Sequence, residues 1–385
     1  MRILYHHRTA SRDGQAVHID ELINAFERRG HELRIVGPAA GEAMGFGEEN
    51  RLISLLKRSL PGVIYELLEL GYSLLTAIRL RREYRKFEPD VFYERYNLFS
   101  PAGAWLRKRH RIPYLLEVNA PLAEERQKYG DLKLQRLAQW SQRYAWQNAD
   151  RVLPVTRVLA DHLIASDVSD KRIVVIRNGI NRSRFNAQGC NIERRRELGL
   201  TDILVLGFTG FVREWHGLDE VIRALPSLGR SDVHLLIVGD GPGRAPLESL
   251  ATELGLSSRV HFTGLVERHE IADYVACFDI ALQPSVTPYA SPLKIFEYMV
   301  LGKAIVAPQT PNIQEILVDG ESARLFDPAV TGSLRDAIKD LCDDPALRQR
   351  LADGARSQID TQQLTWDDNA RRIEELTLDV IAELA

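Results

Sequence analysis

The stretch Tyr289-Ala-Ser-Pro-Leu-Lys-Ile-Phe-Glu-Tyr-Met-Val-Leu-Gly-Lys-Ala-Ile-Val-Ala307 decides how the rest of the chain is read. It predicts loop, helix, turn and strand. Ser291 suits an N-cap, and Pro292 the first helical position, where a missing N–H costs nothing. Leu293, Phe296, Met299 and Val300 recur at helical spacing and are expected to face a core. Lys294, Glu297 and Tyr298 fall on another face. Gly302 closes the helix, and Ala304–Ala307 reads as a short buried strand. A helix N-terminus with free N–H groups and Lys294 nearby suits a phosphate or diphosphate. Further along the helix, the Glu297 carboxylate can accept hydrogen bonds from a vicinal diol such as a ribose. Lys294 and Glu297 read equally well as an ordinary surface pair at i, i+3.

Upstream of this stretch the chain alternates strands, loops and helices. Ile203–Phe208 is an apolar strand, followed by Thr209-Gly-Phe-Val-Arg-Glu-Trp-His-Gly217 and a helix over 218–228. His234–Val238 is the next strand. It leads into Gly239-Asp-Gly-Pro-Gly243, where Gly239 and Gly241 either admit a ligand to the backbone or simply turn the chain. Val260–Val266 is a strand and loop that includes Leu265 and Val266, and Asp279–Gln283 a further strand. Downstream, Pro311-Asn-Ile-Gln-Glu315 opens a helix, and longer helices are predicted over 332–342, over 346–359 and from Trp366 onward.

The first half has the same grammar. Ile3–Tyr5 is a strand, and a polar loop over 9–15 holds Gly14. An amphipathic helix runs from about Val17 to Arg29, and Leu33–Val36 is a strand. His18 is either a residue facing a ligand or a surface histidine. The pattern over 51–87 is helical, with a break at Pro61-Gly62. Its basic end, Arg79–Lys86, either rests on an anionic membrane surface or is the solvated end of a helix packed on a sheet. Strands at Val91–Glu94, Tyr114–Val118 and Val152–Val155 follow. Loops after the C-terminal ends of parallel strands line ligand clefts, which makes Arg95, Asn119 and Glu124 candidate ligand contacts, to an acceptor if the chain transfers a group. Asn178-Gly179 is a turn signal, and polar residues gather at 186–193 as a linker.

Strand–helix alternation over 385 residues with 45% apolar content implies an α/β chain of two domains. A net charge of −3 argues against a general nucleic-acid binder. Cys190, Cys277 and Cys342 are few and unclustered, as expected in a reducing compartment. No metal-ligand spacing is found, and no leader or spanning segment is read at the start. A cytoplasmic location is expected, with contact at the inner face of a membrane left open.

The stretch from Ser291 to Met299 resembles the donor signature of the GT4-type retaining glycosyltransferases (glycosyl transferases group 1), in its S-P-x-K-x-F-E-Y-M form. The Asn178-Gly-Ile-Asn-x-x-x-Phe185 junction and the Val238-Gly-x-Gly-Pro242 turn are similar to that family's motifs as well. The resemblance implies the GT-B arrangement: two facing doubly wound α/β domains, at 1–186 and 187–365, with a terminal helix over 366–385 crossing back. It implies that Gly14, Gly210, Arg213, His216, Gly239, Gly241, Leu265, Val266 and Ser291–Lys294 bind the donor, with Glu297 on its ribose. Arg213, His216 and Lys294 would stabilise the leaving diphosphate, so that no metal and no cofactor is needed. Three departures stand out. Tyr289 occupies a common glutamate position, Phe211 a common arginine and Asn119 a common histidine. Arg213 is expected to replace the missing arginine. The function implied is transfer of a hexose from a nucleoside diphosphate sugar to a glycan or lipid-linked acceptor in polysaccharide or glycoconjugate synthesis. A nucleotide-sugar epimerase and a non-catalytic nucleotide-sugar-binding protein remain as alternatives.

Overall fold

The computed structural model describes residues 1–10, 14–38, 60–130, 132–186 and 192–385. Residues 51–59, Cys190 and most of the expected linker lie outside these. The chain divides into two compact units, Met1–Arg177 with Trp366–Ala385, and Asn178–Thr365.

The first unit is built on a parallel sheet of order β2-β1-β3-β4-β5: β1 Arg2–His6, β2 Glu32–Val36, β3 Val91–Arg95, β4 Tyr114–Val118 and β5 Arg151–Pro154. Tyr5, Phe92, Tyr93, Tyr114 and Leu116 are buried, as expected where helices cover both faces of a parallel sheet. The helix Gly14–Arg28 starts earlier than its apolar pattern suggests, so Gly14 is its exposed first residue and not a loop glycine. The terminal helix Trp366–Leu384 packs on it through Arg28–Asp367, Arg29–Glu374 and an edge-on contact between His18 and Trp366.

Helix Gly62–Phe87 has an inverted burial pattern. Glu66, Ser73 and Thr76 face inward, while Ile64, Leu67, Leu68, Leu74, Leu75 and Ile78 are exposed. The buried polar groups are used. Glu66 accepts the Lys133 and Leu134 N–H groups at 2.8 and 2.6 Å, at the start of the helix Gln135–Asn148, and the Ser73 hydroxyl donates to the Phe99 carbonyl.

The second unit holds a six-stranded parallel sheet of order β11-β10-β9-β6-β7-β8: β6 Leu204–Thr209, β7 Val233–Val238, β8 Val260–Phe262, β9 Ile280–Leu282, β10 Ala304–Pro308 and β11 Arg324–Phe326. Alternate residues feed two cores. Leu206, Phe208, Leu235 and Ile237 pack against Leu334 and Ile338 on one face. Val205, Leu236 and Val238 pack with Phe296 and Met299 on the other. The sequence places the domain division at 186/187, whereas the structure places it at 177/178. The Asn178–Phe185 turn belongs to the second unit because the Ile180 N–H donates to the Leu364 carbonyl and Asn178 Nδ2 donates to the Ser291 carbonyl at 2.6 Å.

Candidate active site

In the second sheet the chain runs from β6 outward to β7 and β8, then returns to the other side of β6 as β9. The loops leaving β6 and β9 therefore diverge, which opens the crevice where open α/β sheets take ligands. The loop after β6 carries Gly210, Arg213 and His216, and the loop after β9 carries Ser291 and leads to Lys294.

Two of the glycines are fixed by close backbone packing. Gly239 has φ +133°, and a Cβ there would lie 2.1 Å from the Gly210 carbonyl oxygen. A Cβ on Gly241 would lie 2.3 Å from the Val212 carbonyl oxygen. The turn after β7 thus seats the loop after β6. Gly210 itself, at φ +131°, leaves room for the Lys294 ammonium, which a Cβ would meet at 3.2 Å.

The helix begins at Leu293, one residue later than expected. Pro292 takes the N-cap position, and the Ser291 hydroxyl does not cap it, since Asn178 holds the Ser291 main chain instead. Asn312, fully buried, donates through Nδ2 to the Thr287 and Ala290 carbonyls at 3.1 and 2.7 Å. Two buried asparagines therefore set the approach to this helix. The inward face is carried by Ile295, Phe296, Tyr298 and Met299, leaving Leu293 and Val300 half-buried. Tyr298, expected beside Lys294 and Glu297, points into the core, where its hydroxyl accepts the Thr209 N–H at 3.0 Å.

Lys294 and Glu297 both keep some solvent contact. The Lys294 ammonium lies 3.6 Å from the Phe208 ring centroid. Burial pushes its pKa down to about 7, opposed by Glu297. Burial pushes Glu297 up to about 7, opposed by Lys294, Arg268 and Arg184. The Arg213 guanidinium is exposed and stacks over Phe211 at 4.8 Å. His216, expected to help stabilise the diphosphate, is held in its neutral form. Burial, then Lys294 and Arg213, drive its pKa down to about 2, and its Nδ1 accepts the Arg213 N–H at 3.1 Å. The ring proton is therefore on Nε2, and His216 offers a neutral donor. Leu265 is exposed and Val266 half-buried after β8.

In the first unit, Arg95 and Asn119 meet on a residue that the sequence reading passed over, Glu117. One Glu117 oxygen takes Arg95 and the Asn119 Nδ2. The other takes the Tyr93 hydroxyl at 2.8 Å and His18 Nε2 at 3.0 Å. Burial alone would raise its pKa. His18 and Arg95 beside it, with the bonds from His18 and Asn119, hold it well below the usual carboxylate range. Because Asn119 donates to Glu117, its Oδ1 is left as an acceptor for a hydroxyl. Glu124 stands apart, exposed and bonded to Gln142 Nε2 at 2.8 Å. A glutamate inside an apolar strand, two residues before Asn119, was the available signal for Glu117.

Comparison with known proteins bears on the fold and the family. Solved structures with a similar fold include the sucrose-phosphate synthase of Thermosynechococcus elongatus (TM-score 0.77, 18% identity, 100% of both chains). Anabaena HepE in complex with UDP-glucose is another (TM-score 0.72, 19% identity, 98% of this chain and 100% of that one). They show the GT-B fold class of two parallel-sheet α/β units. Residues 12–184 match the model of Glycosyltransferase Family 4 and residues 192–358 that of Glycosyl transferases group 1. The chain belongs to the group 1 glycosyltransferases of the GT4 type. Among curated relatives, the alpha-D-kanosaminyltransferase of Streptomyces kanamyceticus is 27% identical over 57% of this chain and 58% of its own. A D-inositol 3-phosphate glycosyltransferase of Xylanimonas cellulosilytica is 26% identical over 97% and 93%. The chain spans little more than half the length of the first of these.

Glu117→Gln should destabilise the chain by about 3–5 kcal/mol, because it leaves buried His18 and Arg95 without their carboxylate. A carboxyl whose pKa is depressed by folding contributes stability above its unfolded value, near about 4.3, which is lost as pH falls toward the folded value. Urea unfolding of wild type should therefore weaken between about pH 4.5 and 3, and the variant should lack that component.

Proposed function

We propose that this chain transfers a hexose, with retention of configuration, from a nucleoside diphosphate sugar to a hydroxyl of a glycan or lipid-linked acceptor. The observation that carries the reading is the convergence of Gly210–His216, the Leu293 helix N-terminus and Lys294 at the switch point between β6 and β9. The bound UDP-glucose of HepE supports a nucleotide sugar as donor.

Donor binding brings the diphosphate to the helix N-terminus, where the Lys294 ammonium and the Arg213 guanidinium meet its charge and His216 Nε2–H donates to an oxygen. Glu297 accepts from the ribose hydroxyls. The bond from the sugar C1 to the diphosphate oxygen breaks, and the diphosphate leaves with that electron pair. The acceptor oxygen bonds to C1 on the same face, and its proton passes to the leaving phosphate. Preorganised cations and N–H groups lower the barrier by stabilising this developing charge. Asn119 Oδ1, with Arg95 held beside it, serves an acceptor hydroxyl. Incubation with radiolabelled UDP-, GDP- and ADP-hexoses tests the reaction. Transfer or slow donor hydrolysis supports it, and an altered sugar without transfer replaces it with epimerisation.

Membrane contact is part of the same proposal. The exposed apolar face of Gly62–Phe87 ends in Arg79, Arg81, Arg82, Arg85 and Lys86, and His110 stands in the field of Arg109, Arg81 and Arg85. No helix among the described residues is long and apolar enough to cross a membrane. An apolar stripe with a cationic end fits the surface of an anionic bilayer.

Three outcomes follow from this reading. At about pH 8 a Lys294 held near 7 is mostly neutral, and a diphosphate restores its charge, so UDP binding takes up a proton. At about pH 6 Glu297 is mostly protonated, and a ribose favours its ionised form, so binding releases one. UDP affinity should peak near pH 7 and fall by up to about tenfold per unit on either side. Lys294→Arg should flatten the alkaline limb and Glu297→Gln the acid limb in calorimetry; a flat profile in wild type removes both residues from the nucleotide contact. Activity should persist in EDTA, and loss restored by magnesium or manganese would overturn the metal-free account. The chain should sediment with phosphatidylglycerol vesicles at low salt and leave them at high salt. Leu74→Ser with Ile78→Ser should abolish that binding, and wild-type-like sedimentation of this variant would reject this helix as the contact.

A further inference from the structure

The helix Gln135–Asn148 carries a second candidate site, one that the catalytic reading does not use. Arg136, Trp140, Arg143, Tyr144 and Gln147 recur along one face of it and, with Asp167 from a neighbouring turn, line a groove of about 360 Å³. That volume is within the range of small-ligand clefts. The helix runs antiparallel to β5, which follows it directly. Gln147 therefore lies toward the N-terminal edge of the first sheet, opposite the strand ends that hold Arg95 and Asn119.

Trp140 is 48% exposed and stacks against Tyr144 with ring centroids 5.4 Å apart and planes 26° from parallel. Lys108 holds Tyr144 from behind, 3.2 Å from its hydroxyl and 4.7 Å from its ring. The result is a flat, braced aromatic platform open to solvent. Gln147 is oriented as well: its Nε2 donates to the Ser166 carbonyl at 3.0 Å, which leaves its Oε1 to accept. Arg136 and Arg143 are both exposed on the groove, which Asp167 also borders. An aromatic platform takes the C–H face of a sugar ring, an amide oxygen takes its hydroxyls, and two guanidinium groups take a carboxylate in bidentate fashion.

We infer that this groove binds an acidic oligosaccharide, a glycan bearing uronate carboxylates, independently of the nucleotide site. Both aromatic rings and both arginines are solvent-accessible, so their replacement leaves the fold intact. Tetragalacturonate should bind the full chain in calorimetry, maltotetraose at least tenfold more weakly, and saturating UDP should leave the tetragalacturonate affinity unchanged. Trp140→Ala should weaken tetragalacturonate at least tenfold. Arg136→Ser with Arg143→Ser should do the same while erasing its preference over maltotetraose. Absence of binding at millimolar ligand, displacement by UDP, or wild-type affinity in Trp140→Ala each overturns the inference. So does a Trp140→Ala variant that loses only phosphatidylglycerol-vesicle binding, since the platform would then be a membrane anchor.

Discussion

The approach of Gly239 to Gly210 is the contact on which the candidate site rests. Only a residue without Cβ, at positive φ, lets the turn after β7 come within reach of the Gly210 carbonyl. Once these two turns touch, the loop after β6 has little freedom. It is held from below by the Gly241–Val212 contact and from the side by the Thr209 N–H on Tyr298. That position leaves a gap above Phe208 that the Lys294 ammonium fills, and a side chain at Gly210 would crowd it. The glycines of the β7 turn thus act on the site through the backbone they allow to pack, whether or not a ligand ever touches them.

The electrostatics of the two units differ in a way that fits different tasks. Glu117 is buried and saturated with donors, so its charge is fixed and its neighbours Arg95 and Asn119 are fixed with it. A network of that kind holds a geometry. Lys294 and Glu297 are under-compensated, each pushed toward its neutral form by burial. A site in that condition gains its full charge only when a ligand supplies the partner. The neutral His216 belongs with the first kind, since it spends Nδ1 on the Arg213 N–H and shapes the turn that carries Arg213.

Much of this was legible in the sequence, and most of what escaped shares one cause. Apolar strands, the helix over 293–300 and the glycine turns follow from periodicity and turn chemistry. The misreadings concern polar groups whose partners are remote in sequence. Helical spacing puts Tyr298 beside Lys294 and Glu297, because nothing local reveals that its hydroxyl receives the Thr209 N–H. The division at 177/178 was missed because Asn178 answers to Ser291 and Ile180 to Leu364. Glu117 was passed over because three of its four partners come from the helix Gly14–Arg28 and from β3, far from it in sequence. The charge on His216 could not be inferred from residue type, since burial decides it.

The inverted helix Gly62–Phe87 shows what such remote pairing permits. A helix that buried its leucines would need nothing else to hold it to the sheet. This one is held by Glu66 on the Lys133 and Leu134 N–H groups and by Ser73 on the Phe99 carbonyl, with Leu80 and Phe87 as apolar anchors. Directional bonds replace part of the apolar seam, and the leucines are freed to face outward. The same Glu66 terminates the helix Gln135–Asn148 at its N-terminal end, so the apolar surface and the aromatic groove share one buried carboxylate. An apolar residue at 66 would remove the acceptor that orders the start of the groove helix. It would also leave two backbone N–H groups without their partner, which cost roughly 1–3 kcal/mol each when buried. The polar inward face of Gly62–Phe87 is therefore the condition under which this unit can display two outward-facing surfaces at once.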